Sequence, residues 1–477
     1  EKILEVDPEY LPAHMWLASA YMGLRNLAMA ERHYQAILTL APERGDIYFQ
    51  LGNLYADAKQ FSQAVEAYRD AIRLDAEGHL ARYNLARVYL EMKEPDQAIP
   101  LLREVLTLRP GFDPAVVALG YAFESMQRWE EAREVYTEAL GADPIDRDLR
   151  ERLARVYVQM GNLDAALGEY RRLLVDQPDD QNLQTRIGLL LLEARRAEEA
   201  LTVFQQIIAA QPESSEARMN AQFYLAIAYE ALGRYNEALT ALDAVLVAGD
   251  RAVDVLVHRG FVLSHLDRLP QAVEALARAA TLRSTDAGIH YLLGLAQLRL
   301  QQYGKAVTSL GEAVRLNPKN ADYHYQLGAT YERSGNLEKA EEAFRKTLAL
   351  NPKHADAYNY LGYMFAEAGI RLDESVALIQ KALEFQPDNG AFVDSLGWAY
   401  YKKGMFDEAL RELLRAVALL DRDDPTIRDH LGDVYFEKRM IPEAIKQWER
   451  ALSLGADNQE IPQKIQRART MLLQGRQ

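Results

Sequence analysis

The chain of 477 residues has no cysteine, which excludes disulfides, thiolate metal sites and a cysteine nucleophile together. It has no apolar run of 18 or more residues, so no membrane-spanning helix is expected. Positive charge is also in short supply. With 55 Lys and Arg against 70 Asp and Glu, the formal net charge is −15, and an acidic molecule of this kind repels polyphosphate at long range. Nucleic acid is therefore not an expected partner.

The sequence carries no phosphate-binding G-x-x-x-x-G-K-S/T, no G-x-G-x-x-G, no H-E-x-x-H and no G-x-S-x-G. With no catalytic constellation in view, neither enzyme activity nor a cofactor is expected. The nine histidines are scattered, and although His290 and His324 lie one period apart, the next equivalent position is Tyr358. Lone histidines lack the ligand count of a metal site and are read here as packed or hydrogen-bonded. Asp421, Asp423 and Asp424 lack the alternating ligands and glycine of a calcium loop, so they read as a solvated turn and no metal is assigned.

What the sequence does have is repetition. In the stretch 321–362, Leu327, Gly328 and Tyr331 fall at i, i+1, i+4, and Ala340, Phe344 and Thr347 at i, i+4, i+7, so both halves have helical periodicity. Gly335 separates the halves and Pro352 ends the unit, because glycine closes a helix in the left-handed conformation and proline cannot continue one. The unit reads helix, turn, helix, stop. Proline recurs with a 34-residue spacing at Pro8, Pro42, Pro110, Pro144, Pro178 and Pro212, with Ala76 in one slot, and again at Pro318 and Pro352. Small residues recur as well: Gly or Ala at 18, 52, 86, 120, 154 and 188, and Ala at 30, 64, 98, 132, 166 and 200. Since glycine inside a helix costs about 1 kcal/mol relative to alanine, close helix packing must offset it.

This spacing, with Leu51-Gly52, Tyr55, Ala64, Tyr68 and Ala71 in one period and Leu119-Gly120, Phe123, Ala132, Tyr136, Ala139 and Pro144 in another, resembles the tetratricopeptide repeat (TPR) pattern. A further period reads Leu431-Gly432, Tyr435, Ala444, Trp448 and Ala451. The resemblance covers nearly the whole chain. It implies an all-α, right-handed superhelical solenoid of about thirteen helix-turn-helix repeats, ended by a capping helix, whose function is to bind a protein or peptide in a concave groove. The stretch Ala355 to Leu454 is similar to the C-terminal part of TPR proteins of bacterial envelopes, which would imply a bacterial protein of the periplasm or outer-membrane periphery.

The expected layout runs in five parts. Residues 1–10 read as the end of a preceding repeat, since EKILEVDP aligns with RKTLALNP at 345–352, and upstream sequence is expected. Residues 11–213 form a first half-array, with repeats starting near Leu11, Gly45, His79, Asp113, Arg147 and Gln181. Residues 214–218 are an insertion, read as a longer inter-repeat loop or extended helix in preference to a bend between two half-arrays. Residues 219–458 form the second half-array, with starts near Asn220, Val253, Ala287, Ala321 and Ala355, and with Asp250 and Ser284 replacing the terminal proline. An extra residue in 369–375 lengthens one turn and puts Ser375 in an alanine slot. Residues 459–477 are the cap, with Ile461, Ile465, Ala468 and Leu472 on one face.

In the family the first helix of each hairpin lines the groove. The positions beside the Gly or Ala there are Arg152, Arg155 and Arg186, with Arg87 further up, a basic strip suited either to carboxylates of an acidic peptide or to pairing with Asp148 and Glu151. The second half gathers Phe261, Tyr291, Tyr325, Tyr360, Tyr363, Trp398 and Tyr401, the residue types of interface hot spots, with Tyr401 the one most suited to the core. The chaperone-type carboxylate clamp is incomplete: Asn53 and Asn84 fit it, but Phe49, Pro114 and Ala118 hold its basic positions. The asparagine ladder of the O-linked sugar transferase superhelix fails at Trp16, Gln50, Ala118, Arg152 and Arg186. The expectation is a non-catalytic scaffold; the competing one is the substrate-recruiting or regulatory arm of an enzyme whose catalytic domain lies outside this chain. The oligomeric state is left open.

Overall fold

The computed structural model describes residues 2–212, 215–245 and 251–474, and every regular element among them is an α-helix. The chain divides into two compact units, Glu1–Leu232 and Gly233–Gln477, each a TPR solenoid. In the first, α1 (Lys2–Val6) precedes six hairpins: α2 (Leu11–Gly23) with α3 (Leu27–Leu40), α4 (Gly45–Asp57) with α5 (Phe61–Leu74), α6 (His79–Glu91) with α7 (Pro95–Leu108), α8 (Asp113–Ser125) with α9 (Trp129–Ala142), α10 (Arg147–Gln159) with α11 (Leu163–Asp176), and α12 (Gln181–Glu193) with α13 (Ala197–Ala210). It closes with α14 (Glu216–Ala231).

The second unit opens with α15 (Tyr235–Asp243) and continues with α16 (Arg251–His265) and α17 (Leu269–Leu282), α18 (Ala287–Arg299) and α19 (Tyr303–Leu316), α20 (Ala321–Arg333) and α21 (Leu337–Leu350). Then follow α22 (Ala355–Glu367) with α23 (Leu372–Phe385), α24 (Gly390–Lys402) with α25 (Phe406–Leu419), α26 (Pro425–Glu437) with α27 (Ile441–Ser453), and the cap α28 (Ile461–Gln474). Ile461, Ile465 and Ala468 of α28 bury against Ala444, Trp448 and Ala451 of α27, so the last hairpin does not end on an open apolar face.

Where glycine holds the small-residue slot of the first helix, one contact sets the hairpin. A Cβ at Gly52 would stand 2.5 Å from the Tyr68 ring, and one at Gly188 2.5 Å from Phe204, so the first helix presents bare backbone to a large side chain of the second. Ala64, Ala132 and Ala200 are fully buried on the opposite side of the same seam. Where the extra residue enters 369–375, Ser375 is also fully buried, and its hydroxyl donates to the Gly362 carbonyl at 2.6 Å, so the polar side chain stays satisfied in an alanine slot. Between the helices one residue is left-handed, as at Lys93 (φ 62°) and Gly335 (φ 81°), followed directly by the N-cap of the second helix.

A second device joins successive repeats. The carbonyl ending one repeat lies outside both helices and needs a donor. The fourth residue of the next first helix reaches back to it: His14 Nε2 to Pro8 at 2.9 Å, Gln184 Nε2 to Pro178 at 2.6 Å, His324 Nε2 to Pro318 at 3.0 Å. His290 makes the same bond to Ser284 at 3.0 Å, so this junction keeps its clasp without the proline. Asp250 lies outside the described residues, as does Ser214.

At the expected insertion the chain is helical from Glu216, and α14 runs to 16 residues where the first helices before it have 13. Ser215 explains the early start: its side chain accepts from the Arg218 N–H at 3.1 Å, capping the additional turn. The 421–424 segment is also more than a solvated turn. Asp423 holds Arg428 at 2.5 Å and Arg450 at 2.7 Å, and Asp424 caps α26 through the Thr426 and Ile427 N–H groups.

Two glycine substitutions separate the seam from ordinary helix propensity. Gly52→Ala drives a methyl into Tyr68, which is itself fixed by donating to Asn53 Oδ1 at 2.7 Å, and is expected to destabilise by about 1–3 kcal/mol. Gly168→Ala, in α11 with nothing near its Cβ, is expected to stabilise by about 0.5–1 kcal/mol. Urea denaturation followed by circular dichroism reads both; the same sign for the two would mean that the seam does not set the packing.

Candidate functional site

Four first helices of the second unit carry the side chains that gather into one hollow. On α22, Tyr360, Tyr363 and Glu367 fall at i, i+3, i+7; on α24, Asp394, Trp398 and Tyr401 at i, i+4, i+7; on α26, Thr426, Asp429, Asp433 and Phe436 follow the same stripe. From α20, Glu332 reaches the same hollow. The consensus leucines Leu361, Leu396 and Leu431 are buried elsewhere on these helices, and Trp398, Tyr360, Tyr363 and Tyr401 of the stripe pack in part against the same core.

Two cavities share the walls Tyr363, Glu367 and Thr426. The larger, about 890 Å³, lies among Tyr363, Trp398, Tyr401, Asp433, Trp448 and the turn before α28. The smaller, about 580 Å³, is walled by Leu337, Tyr360, Met364, Leu420 and Ile427, with Glu332, Glu367, Asp394 and Asp424 as its charged residues among those described.

In the larger cavity the Trp398 ring is sandwiched, stacked on Tyr401 at 4.8 Å and on His430 at 4.1 Å. Its Nε1–H donates to Glu367 Oε2 at 2.7 Å, and the Lys402 ammonium sits 4.8 Å from its ring centroid. His430 Nδ1 lies 2.9 Å from Asp394 Oδ1, and both residues are buried. On the far wall Lys464 bridges Asp429 at 2.9 Å and Asp433 at 2.7 Å, while Trp448 Nε1–H donates to Asp433 at 3.1 Å. Burial works against the charge on His430, but the Asp394 carboxylate, helped by Asp429 and Asp433, outweighs it and raises the imidazole above its ordinary value. Burial, with Glu367 and Asp394 nearby, pushes the Tyr363 phenol up to about 12, and Tyr401 is pushed to about 12 by burial and by Asp433.

The aromatic residues expected at the site divide. Tyr363, Trp398 and Tyr401 meet around the larger cavity, and Tyr360 stands on the wall of the smaller one, its hydroxyl 3.1 Å from Glu332. Tyr325 packs on His354 at 4.8 Å and toward Phe344, Tyr291 stacks on Tyr323 at 4.7 Å, and Phe261 meets His265 at 4.5 Å, all outside the two cavities. Trp398 is only 8% exposed, so most of its ring supports the walls.

In the first unit Arg152 pairs with Asp148 at 2.8 Å, and Arg186 with Glu151 at 3.1 Å while lying over the Tyr170 ring. Arg87 lies over Tyr83, and Arg155 is exposed. Asn84 and Asn53 hydrogen-bond to each other at 2.9 Å. Sequence reading missed Glu367, Asp394, Asp429, His430 and Asp433. Their signal was present: each lies three to eight residues along the same helix from an aromatic position or its counterpart, which puts it on or beside the aromatic stripe.

Models described as tetratricopeptide repeat match residues 89–136, 124–187 and 191–253, and again 49–111, 223–287 and 395–460. Further ones match 11–44, 298–335 and 321–354. The chain belongs to the tetratricopeptide repeat family. TPR proteins generally mediate protein–protein interaction. Among solved structures, the TPR chain is similar to one in the Cut9–Hcn1 hetero-tetramer of the APC/C (16% identity, 96% of each chain, TM-score 0.44). It is also similar to yeast Tom70 (17% identity, 91% of this chain and 96% of that one, TM-score 0.38) and to MamA (31% identity, 34% and 95%, TM-score 0.33). No curated protein sequence matches it. No helix among the described residues is long and apolar enough to cross a membrane.

The buried Asp394–His430 pair makes a pH-dependent contribution to the second unit. A raised folded-state imidazole value means that this contribution is complete below the unfolded value of about 6.5 and is lost as pH rises through the folded one. Asp394→Asn is therefore expected to cost roughly 1.5–3 kcal/mol at pH 6 and progressively less above pH 7. Urea denaturation across that range checks it; a cost independent of pH would mean that His430 is neutral throughout.

Proposed function

We propose that this TPR chain is a non-catalytic scaffold that binds a protein or peptide along the first-helix face of its second unit. One observation carries the reading: the two cavities that adjoin at Tyr363, Glu367 and Thr426 form a trough whose walls are aromatic and aliphatic side chains ringed by polar groups. A trough of this composition suits a chain segment that inserts side chains, since apolar anchors supply the affinity and the polar rim the orientation. Catalysis has no part in the reading, and the acidic total disfavours nucleic acid. A bacterial envelope setting rests only on the wording of the stretch Ala355 to Leu454.

A photoreactive residue tests where the partner sits. Thr426 is exposed at the junction of the cavities, and Arg411 is exposed on the second helix α25. Placed at 426 in cells expressing the protein, the group is expected to give a discrete protein adduct, and at 411 none. Adducts from 411 with none from 426 would move binding to the second-helix face.

A further inference from the structure

The charged side chains that line the smaller cavity are all acidic, whereas the larger one also has Lys402, His430, Lys464 and Arg467 on its walls. The smaller cavity carries Glu332, Glu367, Asp394 and Asp424, and among the described residues no lysine, arginine or histidine lines it. Asp394 is taken by His430. The other three accept only neutral donors: Glu332 the Tyr360 hydroxyl, Glu367 the Trp398 indole, Asp424 the backbone of α26. Among the described residues none of these three forms an ion pair with a lysine, arginine or histidine, although acids elsewhere in the chain commonly do.

The contrast with the first unit sharpens the point. There Arg152 and Arg186 are each matched by a neighbouring carboxylate. In the second unit three carboxylates line an apolar hollow walled by Leu337, Met364, Leu420 and Ile427 with no ion-pair partner among the described residues, while Lys402 donates to the Glu367 main-chain carbonyl at 3.4 Å. Like charges held together around a low-dielectric wall raise the local negative potential, which attracts cations and repels acidic chains.

We infer that the occupant of this trough is a cationic amphipathic segment of another protein, with an apolar side chain in the smaller cavity and lysine or arginine residues flanking it. The inference rests on the groove reading above and adds the sign of the ligand's charge, opposite to the one the arginines of the first unit would select. Glu332 and Glu367 sit on α20 and α22, and Asp424 at the start of α26, so the three reach the apolar cavity from three separate helices.

The test uses the whole chain and a fluorescein-labelled 14-residue peptide alternating pairs of leucine and lysine, with glutamate and glutamine counterparts, read by anisotropy. The lysine peptide is expected to bind about tenfold more tightly than either counterpart, the combined effect of three partly exposed pairs. In the variant Glu332→Gln, Glu367→Gln, Asp424→Asn the preference is expected to vanish, while the new asparagine side chain keeps the oxygen that caps α26. A control, Glu66→Gln, Glu91→Gln, Glu138→Gln, raises the net charge by the same three units from −15 at exposed positions of the first unit, and is expected to keep the preference.

Equal binding of the glutamine or glutamate peptide, blocked by Thr426→Trp, would overturn the charge inference and leave the groove reading standing. A preference lost equally in the control would overturn it too, as attraction to the acidic chain at large. Binding unaffected by Thr426→Trp, or no binding by any of the three peptides, would overturn the groove reading and this inference with it.

Discussion

The contact between bare backbone on a first helix and a large side chain on its partner is the constraint on which the rest depends. Gly52 under Tyr68 and Gly188 under Phe204 fix how closely each pair approaches. Once that seam and the consensus leucines have taken up the core-facing positions, the remaining stripe of each first helix packs on its own hairpin only in part, as Tyr401 does on Phe406. Part of each side chain placed there stays open to the hollow, and successive repeats bring those stripes side by side.

The two units use those stripes differently. In the first, arginines and carboxylates on neighbouring turns neutralise each other, as Arg152 does with Asp148 and Arg186 with Glu151 across one repeat. In the second, indole and phenol groups donate to the carboxylates, with Trp398 on Glu367 and Tyr360 on Glu332. A neutral donor orients a carboxylate without cancelling its charge. The carboxylates of the smaller cavity therefore keep their charge while its walls are held in place, the arrangement on which the inference of a cationic partner rests.

The fold was legible because one period contains all of its structural instructions: the small residue for the seam, the turn before the second helix, and the proline at the end. Expected starts at Leu11, Gly45, His79, Asp113, Arg147 and Gln181 are the first residues of their helices. The insertion was harder, because a four-residue surplus can go into a loop or a helix and only the capping bond of Ser215 decides. At the site, the aromatic residues stood out by type, and Tyr363, Trp398 and Tyr401 do come together. Their ion-pair status could not be read. Whether Arg186 is paired with Glu151, 35 residues away, or Glu332 is left unpaired depends on the offset between successive hairpins, which no single helix encodes.

Hydrogen exchange tests most directly whether the first-helix stripes of the second unit are the binding surface. With the lysine peptide bound, amides of α22, α24 and α26 should gain protection at their trough-facing turns, while α23, α25 and the first unit remain unchanged. Protection confined to the second helices, or spread over the arginine-bearing α10 and α12 of the first unit, would contradict the account.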